Sequence, residues 1–414
     1  MLRPTLLVKT LGKLTADVGH RVIGQGGDAR VGDSVAGLIA AGSGRRPARG
    51  ALDGEATQAI KFTGGSSGRP KGVLQPYRAW LTGAACMIHE LGLNAADRFL
   101  LAAPLTHGTS CYIMPTLAVG GTLVLGGPVM RPAEVLDAFD KSAITTTFIP
   151  PTVIYMMMAE IGDDAPGFAA LSRLIYGGAS MPPEKIREAQ RVFGPVIGTN
   201  YGQTEAPQVV TYLSPTDMMD ARTVASVGHA SLLTRVAIME PGGDGVLGAG
   251  EEGEIVIGGG LLMTGYLDMP EATEEVLRGG WLRTGDVGLL DERGFLFLKD
   301  RLRDVIISGG FNVYPSDVEA ALVGHEAVHE CVVFGLPDEK WGESVHAAVV
   351  RRPGAEVDEG TLIDFAKRLV GSVKAPKAIH FKDDLPRSGV GKVLRRVIRE
   401  DTMAKGAANR RDRR

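Results

Sequence analysis

The segment of the sequence best suited to chemistry is FTGGSSGRPKG, at residues 62–72. Its glycines leave the backbone free to curl, and hydroxyl and cationic side chains stand among them. Such a loop after a strand suits a polyphosphate, whose negative charge is spread over many oxygens. It is not a Walker A loop, because Lys71 is followed by glycine rather than by serine or threonine. The residues predicted to bind phosphate are Thr63, Gly64, Gly65, Ser66, Ser67, Gly68 and Lys71.

Other candidate groups are scattered along the chain, and each is a weak signal by itself. A Thr-Glu pair such as residues 204–205 is usually the start of a helix, and Asp286 would pass as a turn aspartate. Lys392 lies on a glycine-flanked loop, where most lysines are merely solvated. His107 is compatible with a purely structural role. These residues indicate a functional site only when their order along the chain is considered together.

Together these segments resemble, in content and order, the motifs of the ANL superfamily of adenylate-forming enzymes. That superfamily includes acyl- and aryl-CoA synthetases, adenylation domains of peptide synthetases, and luciferases. Its phosphate loop reads T-S-G-[ST]-T-G-x-P-K-G, and this chain differs by Gly64 and Ser67, which keep the loop small or hydroxylated. The other matching segments are YGGAS at 176–180, NYGQTE at 200–205, WLRTGD at 281–286, DRLRDVIISGG at 300–310 and LPRSGVGK at 385–392.

The resemblance implies an ATP site that is assembled from separate segments. Tyr201 would stack on adenine, Thr204 would contact phosphate, and Glu205 would hold Mg²⁺, which prefers one or two carboxylates together with phosphate oxygens. Asp286 would accept hydrogen bonds from the ribose hydroxyls, and Arg301 would contact ribose or phosphate. The residues implied to line the adenine and the adjoining acyl pocket are Gly177, Gly178, Ala179, Asn200 and Gly202.

The resemblance also implies which groups act on the acid and on the thiol. Lys392 would complete the adenylation site, and His107 would lie beside the acyl carboxylate. Gly309 and Gly310 would lie near a tunnel for the pantetheine of coenzyme A, where absent side chains permit close approach. Arg303 stands at the position of an interdomain hinge. The implied activity is that of an ATP-dependent carboxylic acid–CoA ligase, with an apolar or aromatic small-molecule acid as substrate.

Two alternatives remain open at this point. Adenylation domains that load an amino acid onto a carrier protein usually have an aspartate just after the position of His107, and residues 108–112 contain none. A truncated homologue that only binds nucleotide or a partner is favoured by the short amino terminus. It is opposed by the intact candidate residues, Lys71, Glu205, Asp286, Arg301 and Lys392.

Hydrophobic patterning predicts an α/β fold with a doubly wound parallel sheet. Between about residues 58 and 200, short apolar runs alternate with longer mixed stretches, which is typical of βαβ units. From residue 224 to 299, glycine-rich turns separate strands that are expected to be antiparallel. The predicted strands are 59–63, 99–103, 122–125, 144–149, 174–176, 196–199, 236–239, 253–257 and 294–298, and the predicted helices are 132–141, 152–161 and 183–193.

A third pattern begins after residue 300 and predicts a small mobile α+β domain. It has a helix starting at Ser316 with Glu319 as capping-box partner, strands at 328–334 and 344–350, and a helix at 361–369. The expected domains are 1–300 for a large adenylation domain, β-rich at about 222–300, and 301–404 for the small domain. Residues 405–414 are expected to be a solvated basic tail.

Composition excludes several classes of protein. Of 414 residues, 44% are hydrophobic and 22% charged, as in a globular chain of two or three domains. A net charge of −3 argues against nucleic acid as a partner. The three cysteines have no CxxC spacing, which excludes a disulfide framework and favours the cytoplasm. Residues 99–130 lack charged side chains, but prolines and glycines interrupt them, so we expect a buried core rather than a membrane span.

The short amino terminus is the main departure from the family pattern. Members usually carry a substantial region before the phosphate loop, which begins here at residue 63, so about a hundred residues are expected to be missing. A doubly wound sheet normally has both faces covered. We therefore expect exposed apolar surface and a homodimer, with an interface that involves residues 1–57 or the surface that they fail to cover.

Overall fold

The computed structural model describes residues 23–24, 33–34, 53–63, 70–103, 105, 108–126, 130–162, 167–387 and 393–411. Contacts divide the chain into two units, residues 1–52 and residues 53–414. In the first unit, β1 (Ile23–Gly24) pairs in parallel with β2 (Asp33–Ser34). The site residues that lie outside the described part are Gly64, Gly65, Ser66, Ser67, Gly68, His107 and Lys392.

The second unit contains the following elements. The helices are α1 (Tyr77–Leu91), α2 (Ile113–Ala118), α3 (Pro132–Lys141), α4 (Pro151–Ile161), α5 (Pro183–Phe193), α6 (Pro270–Val276), α7 (Pro315–Val323), α8 (Glu359–Lys374) and α9 (Arg395–Arg411). The strands are β3 (Thr57–Thr63), β4 (Lys71–Pro76), β5 (Arg98–Leu101), β6 (Thr122–Leu125), β7 (Thr146–Ile149), β8 (Arg173–Tyr176), β9 (Ile197–Tyr201), β10 (Thr211–Leu213), β11 (His229–Ala230), β12 (Thr234–Met239), β13 (Gly253–Gly259), β14 (Gly265–Tyr266), β15 (Leu277–Arg278), β16 (Trp281–Leu290), β17 (Leu296–Arg301), β18 (Ile306–Ser308), β19 (Phe311–Val313), β20 (Val328–Asp338), β21 (Gly342–Arg351) and β22 (Ala378–Lys382). Short 3₁₀ helices occupy Gly108–Tyr112, Asp217–Met219 and Leu302–Asp304.

A seven-stranded sheet forms the centre of the larger part, in the order β11-β10-β9-β8-β7-β5-β6. The strands from β9 to β6 run parallel, and β10 and β11 are antiparallel at one edge. Side chains of β5 alternate between the faces. Leu100 packs with α3, α4 and α5, whereas Phe99 and Leu101 pack with α1. Helices on both faces confirm the predicted doubly wound α/β fold.

Proline begins five helices of this unit, from α3 to α7. Its fixed φ suits the first turn, and its missing N–H would have had no partner within the helix. At α3 the Glu134 carboxylate also accepts the backbone N–H of Arg131, at 2.9 Å. These local signals explain why the helices predicted at 132–141 and 183–193 have the bounds of α3 and α5.

Two antiparallel sheets lie beside the parallel one. One has the order β12-β13-β16-β15, with β17 also paired to β16, and confirms the antiparallel prediction. The other places β4 between β14 and β3. Thr63 at the end of β3 lies opposite Lys71 at the start of β4, so the predicted phosphate loop joins the two strands of a β-hairpin.

The small carboxy-terminal domain is built on β18 to β22. Its sheet has the order β19-β18-β21-β20, and β22 runs parallel to β21. Val318 of α7 and Leu362 of α8 pack on one face, and Ile398 of α9 packs on the other beside Phe334. Helix α9 continues to Arg411 and therefore includes residues 405–411 of the segment predicted as a basic tail.

The capping box predicted at Ser316 and Glu319 is wrong. Helix α7 begins one residue earlier, at Pro315, and has no side-chain cap. The Ser316 hydroxyl instead donates to the carbonyl of Lys299, at 2.6 Å. Glu319 accepts the N–H of Val333, at 2.7 Å, because tertiary partners compete successfully with the local cap.

The uncharged segment 99–130 folds, in its described part, into β5, a 3₁₀ helix, α2 and β6. Across the described ranges, no helix has the length and apolar character needed to cross a membrane.

Candidate active site

Asp286 on β16 is the centre of a hydrogen-bonded cluster. Its Oδ2 accepts the Tyr201 hydroxyl at 2.6 Å and the Gln203 Nε2 at 2.6 Å. Its Oδ1 lies 2.7 Å from Nε of Arg301, at the end of β17. The register of β16 against β17 sets Asp286 directly opposite Arg301. A carboxylate fixed in this way is an acceptor suited to the paired hydroxyls of a ribose.

The environment of this cluster holds Tyr201 in its protonated form. Tyr201 is 8% exposed, and its burial, together with the negative charge of Asp286, raises the pKa of its hydroxyl well above the usual value. The hydroxyl therefore remains a donor to Asp286 at any physiological pH. Arg301 balances the charge of the carboxylate, so the buried anion is paired.

Glu205 and Lys71 meet at a second cluster, around Tyr266 of β14. The Tyr266 hydroxyl donates to Oε1 of Glu205 at 2.9 Å, and Nζ of Lys71 lies 4.6 Å from the centre of the Tyr266 ring. Burial and the Glu205 charge raise the pKa of Tyr266. Nε2 of Gln75 donates to the carbonyl of Thr204, at 2.8 Å. These contacts fix the Thr204–Glu205 segment against the sheet that carries Lys71.

Two of the predicted glycines are required by close approach. A Cβ on Gly177 would lie 2.7 Å from Oδ1 of Asn200, and a Cβ on Gly202 would lie 2.4 Å from the backbone oxygen of Gln208. At Gly202 only glycine fits without a backbone shift, whereas a Cβ at Gly177 would displace the side chains of Asn200 and Phe148. Gly178 and Ala179 follow directly and are exposed, as a surface for a planar ligand group would need to be.

Tyr112 occupies the region beside these glycines and was not predicted. It is fully buried, with its ring 4.9 Å from that of Phe99 and 5.2 Å from that of Phe148, centre to centre. Its hydroxyl accepts Nδ2 of Asn200 at 2.7 Å and Nε2 of Gln208 at 3.1 Å. Gln208 adopts a left-handed backbone with φ of 70°, which is uncommon for a residue with a side chain. The region is therefore aromatic with a polar patch.

Further candidate residues lie in the small domain and on β3. Gly309 and Gly310 form the turn from β18 to β19, and the Gly309 N–H donates to the carbonyl of Trp341 at 2.8 Å. Lys61 was not predicted, yet it shares a sheet face with Lys71, and its Nζ donates to Oγ of Ser110 at 3.0 Å. In the sequence, only the alternation of side chains along the strand 57–63 could have indicated that Lys61 faces the same side as Lys71. Sequence reasoning also missed Gln203, although it occupies the variable position of the NYGQTE segment.

The Glu205 carboxylate suits Mg²⁺ carried by a polyphosphate. Among the residues that the structure describes, no group of three or more His, Cys, Asp or Glu side chains is placed to hold a metal ion. Glu205 offers one carboxylate next to the hairpin of the phosphate loop. One carboxylate plus phosphate oxygens is a donor set that Mg²⁺ accepts readily.

Comparison with known proteins gives two family matches. Residues 10–267 match the family described as AMP-binding enzyme, and residues 317–392 match the AMP-binding enzyme C-terminal domain. The chain is 38% identical over 347 residues to a medium/long-chain-fatty-acid–CoA ligase of Mycobacterium tuberculosis, covering 82% of this chain and 60% of that protein. It is 37% identical to feruloyl-CoA synthase of Amycolatopsis sp., covering 82% of this chain and 69% of that enzyme.

A solved structure shows the same fold. The o-succinylbenzoate CoA synthetase of Bacillus subtilis, in complex with its acyl-adenylate intermediate, superposes with a TM-score of 0.76 at 32% identity. The match covers 83% of this chain and 69% of that one. The chain thus spans about 60–70% of the length of these proteins. It belongs to the AMP-binding enzyme family, within the ANL superfamily of adenylate-forming enzymes.

Proposed function

We propose that this chain is an ATP-dependent carboxylic acid–CoA ligase. The acid's carboxylate oxygen would attack the α-phosphorus of ATP and release pyrophosphate. The thiol of coenzyme A would then lose its proton, and its sulfur would attack the acyl carbon of the adenylate as AMP departs. The observation that carries this proposal is the hydrogen bond from the Tyr201 hydroxyl to Asp286, because it holds a ribose acceptor beside the strand that leads to Glu205.

Different residues would bind the ribose, the adenine, the pyrophosphate and Mg²⁺. Asp286 and Arg301 would bind the ribose, and Tyr201 would form one wall of the adenine site opposite the backbone of 177–179. Lys71 and the loop 63–68 would hold the pyrophosphate as it leaves, an electrostatic contribution. Mg²⁺ on Glu205 would neutralise phosphate charge. Support comes from the contacts of Tyr266, which hold Glu205 and Lys71 on one side of the small sheet.

The second half of the reaction would use the small domain. We assign residues 1–300 to the large domain and 301–404 to the small one, because the chain passes from β17 to β18 through the 3₁₀ helix Leu302–Asp304. Rotation about Arg303 would withdraw Lys392 and bring Gly309 and Gly310 over the site. Lys392 would stabilise the charge shared by carboxylate and α-phosphate only during the first half-reaction.

The acid would be apolar or aromatic. The ring of Phe148 lies next to Gly177, and the buried rings of Tyr112 and Phe99 stack behind it. The polar groups there, on Asn200 and Gln208, are already bonded to the Tyr112 hydroxyl. Surroundings of this kind favour flat or hydrocarbon groups over charged ones.

We also infer a homodimer in the cytoplasm. Strand β3 lies at the edge of its sheet, with Ile60 46% exposed and Phe62 63% exposed on one face. Exposed apolar edges of this kind favour association. Cys86, Cys111 and Cys331 are free thiols, as expected in a reducing compartment. Light scattering at micromolar concentration tests the dimer, and a monomer throughout would contradict it.

ATP–pyrophosphate exchange against a panel of carboxylic acids, with and without coenzyme A, tests the activity. We expect exchange with at least one aromatic or fatty acid, and thioester formation when coenzyme A is added. Exchange without transfer to coenzyme A would favour the carrier-protein alternative. ATP binding without exchange for any acid would identify a non-catalytic homologue.

A further inference from the structure

Arg395, near the start of α9, lies at the junction between the two parts of the second unit. The antiparallel sheet of the larger part ends with β17 at Arg301, and the sheet of the small domain starts with β18 at Ile306. Only the four residues 302–305 separate them. The Arg395 guanidinium contacts carboxylates on both sides of this connection.

Three carboxylates surround this one guanidinium. Nη1 lies 2.9 Å from Oδ2 of Asp304 and 3.4 Å from Oδ1 of Asp300, and Nη2 lies 2.9 Å from Oε1 of Glu319. The Arg395 side chain is 22% exposed and that of Asp300 is 6% exposed. At such burial an ion pair is weakly screened by solvent, and loss of one partner is costly.

Asp300 belongs to the larger part, yet it holds the small domain. It is a residue of β17, opposite Val287 of β16. Its Oδ2 accepts the N–H of Ser316 in the first turn of α7, at 2.9 Å. The carbonyl of its neighbour Lys299 accepts the Ser316 hydroxyl, at 2.6 Å. The end of β17 therefore contacts both α7, through Ser316, and α9, through Arg395.

Asp304 and Glu319 follow the 302–303 segment and belong to the same side as Arg395. A rotation about Arg303 would separate Asp300 from Arg395 and from Ser316, while Asp304 and Glu319 would move with Arg395. The guanidinium would keep two carboxylate partners after the rotation. The guanidinium would therefore not be left as a buried unpaired charge, and the rotation avoids that penalty.

We propose that the Asp300–Arg395 contact is a releasable latch that positions the Lys392 loop. Lys392 precedes Arg395 by three residues, so the latch holds the base of that loop. Asp300 and Arg395 are positioning residues, since they act on the reaction through Lys392. The strength of the latch sets the balance between the two domain arrangements, and hence between the two half-reactions. This role rests on the proposed function.

Single-molecule fluorescence transfer tests the latch without any need for activity. Dyes are placed on Glu184→Cys in α5 and Asp364→Cys in α8, both of which are exposed positions. Asp300→Asn is compared with the matched control Glu319→Gln, which also removes a carboxylate from Arg395 but on the small-domain side. We expect Asp300→Asn to shift the equilibrium by about tenfold away from the inter-dye distance of the arrangement with the Asp300–Arg395 contact. The control should shift that equilibrium by less than about twofold. Equal shifts, or none, overturn the proposal.

Two further measurements separate a latch from a structural role. Arg395→Lys keeps the positive charge and loses the planar set of guanidinium donors. We therefore expect its distance equilibrium to lie between those of wild type and Asp300→Asn. In kinetics, Asp300→Asn should lower kcat of adenylation by about tenfold with an unchanged KM for ATP, while Glu319→Gln should not. If the wild type shows no ATP–pyrophosphate exchange, the proposed function fails, and the fluorescence contrast still decides the latch.

Discussion

The hydroxyl of Tyr201 donates to Oδ2 of Asp286 across 2.6 Å, although 85 positions separate the two residues in the chain. This bond ties the last residue of a parallel strand, β9, to the middle of an antiparallel one, β16. Both side chains are buried, so the bond lies in a region of low dielectric, where hydrogen bonds to a charged group are strong. The parallel sheet and the antiparallel sheet of β12, β13, β15, β16 and β17 are thus joined at the candidate nucleotide site.

Asp286→Asn should raise the KM for ATP. The change removes the charge that holds Arg301 and weakens acceptance from ribose hydroxyls at nearly constant shape. Loss of a charged hydrogen-bond partner costs about 1.5–3 kcal/mol, which corresponds to a KM increase of at least about tenfold. Steady-state kinetics with varied ATP measures it, with the exposed Asp364→Asn as matched control. An unchanged KM would mean that Asp286 serves only to join the sheets.

Glu205→Gln should weaken the dependence of activity on Mg²⁺, because a neutral amide is a poor ligand for a hard cation. The half-saturating Mg²⁺ concentration is expected to rise by about tenfold. Tyr266→Phe removes the hydrogen bond to Glu205 without removing its charge. It should therefore produce a smaller rise. If Glu205→Gln leaves the Mg²⁺ titration unchanged while both variants lose thermal stability, the pair is structural.

Lys392→Ala should slow adenylation by about 10²–10³-fold, as expected for loss of one electrostatic contact to the developing charge. Thioester formation from preformed acyl-adenylate should stay nearly normal, because Lys392 would be withdrawn in that step. The two half-reactions are measured separately, with the exposed Lys185→Ala as matched control. Equal losses in both half-reactions would contradict the assigned role.

Acid should destabilise the small domain through His346. Its Nδ1 lies 3.0 Å from Nε2 of His380, and burial together with His380 lowers the pKa of His346 to about 4. The folded state thus favours neutral His346, while the unfolded chain takes up a proton as the pH falls through about 6.5. The free energy of unfolding is therefore unaffected by His346 above about pH 6.5. It falls progressively between about pH 6.5 and pH 4, where only the unfolded chain binds this proton.

Thermal unfolding between pH 7 and pH 4 measures the effect. We expect His346→Gln to lose less stability than wild type over this range, by about 2–4 °C in Tm. Replacement of the exposed His229 by Gln should leave the pH dependence of wild type unchanged. Parallel pH profiles for wild type and His346→Gln would show that other groups govern the acid sensitivity.

The fold class and many element bounds follow from local patterns in the sequence. Helix α3 and strand β6 have the predicted limits, because proline at the first helical turn and short apolar runs are local signals. The order of the motifs also identified the family. The capping box predicted at Ser316 was wrong because that prediction used only neighbouring residues. In the structure Glu319 instead binds Val333 of β20 and Arg395 of α9.

Local patterns do not predict which distant side chains meet, because those contacts form only when the sheets and helices pack. Gln203 joins Asp286, and Tyr112 joins Asn200, across 83 and 88 positions of the chain. Arg395 meets Asp300 across 95 positions. Such contacts depend on strand register and on the packing of helices against sheets. A shift of one residue in register would turn the strand residues Asn200, Asp286 and Asp300 to the opposite face of their sheets. Local periodicity predicts that a strand forms, but the pairing of that strand with a distant partner is determined by burial summed over the whole core.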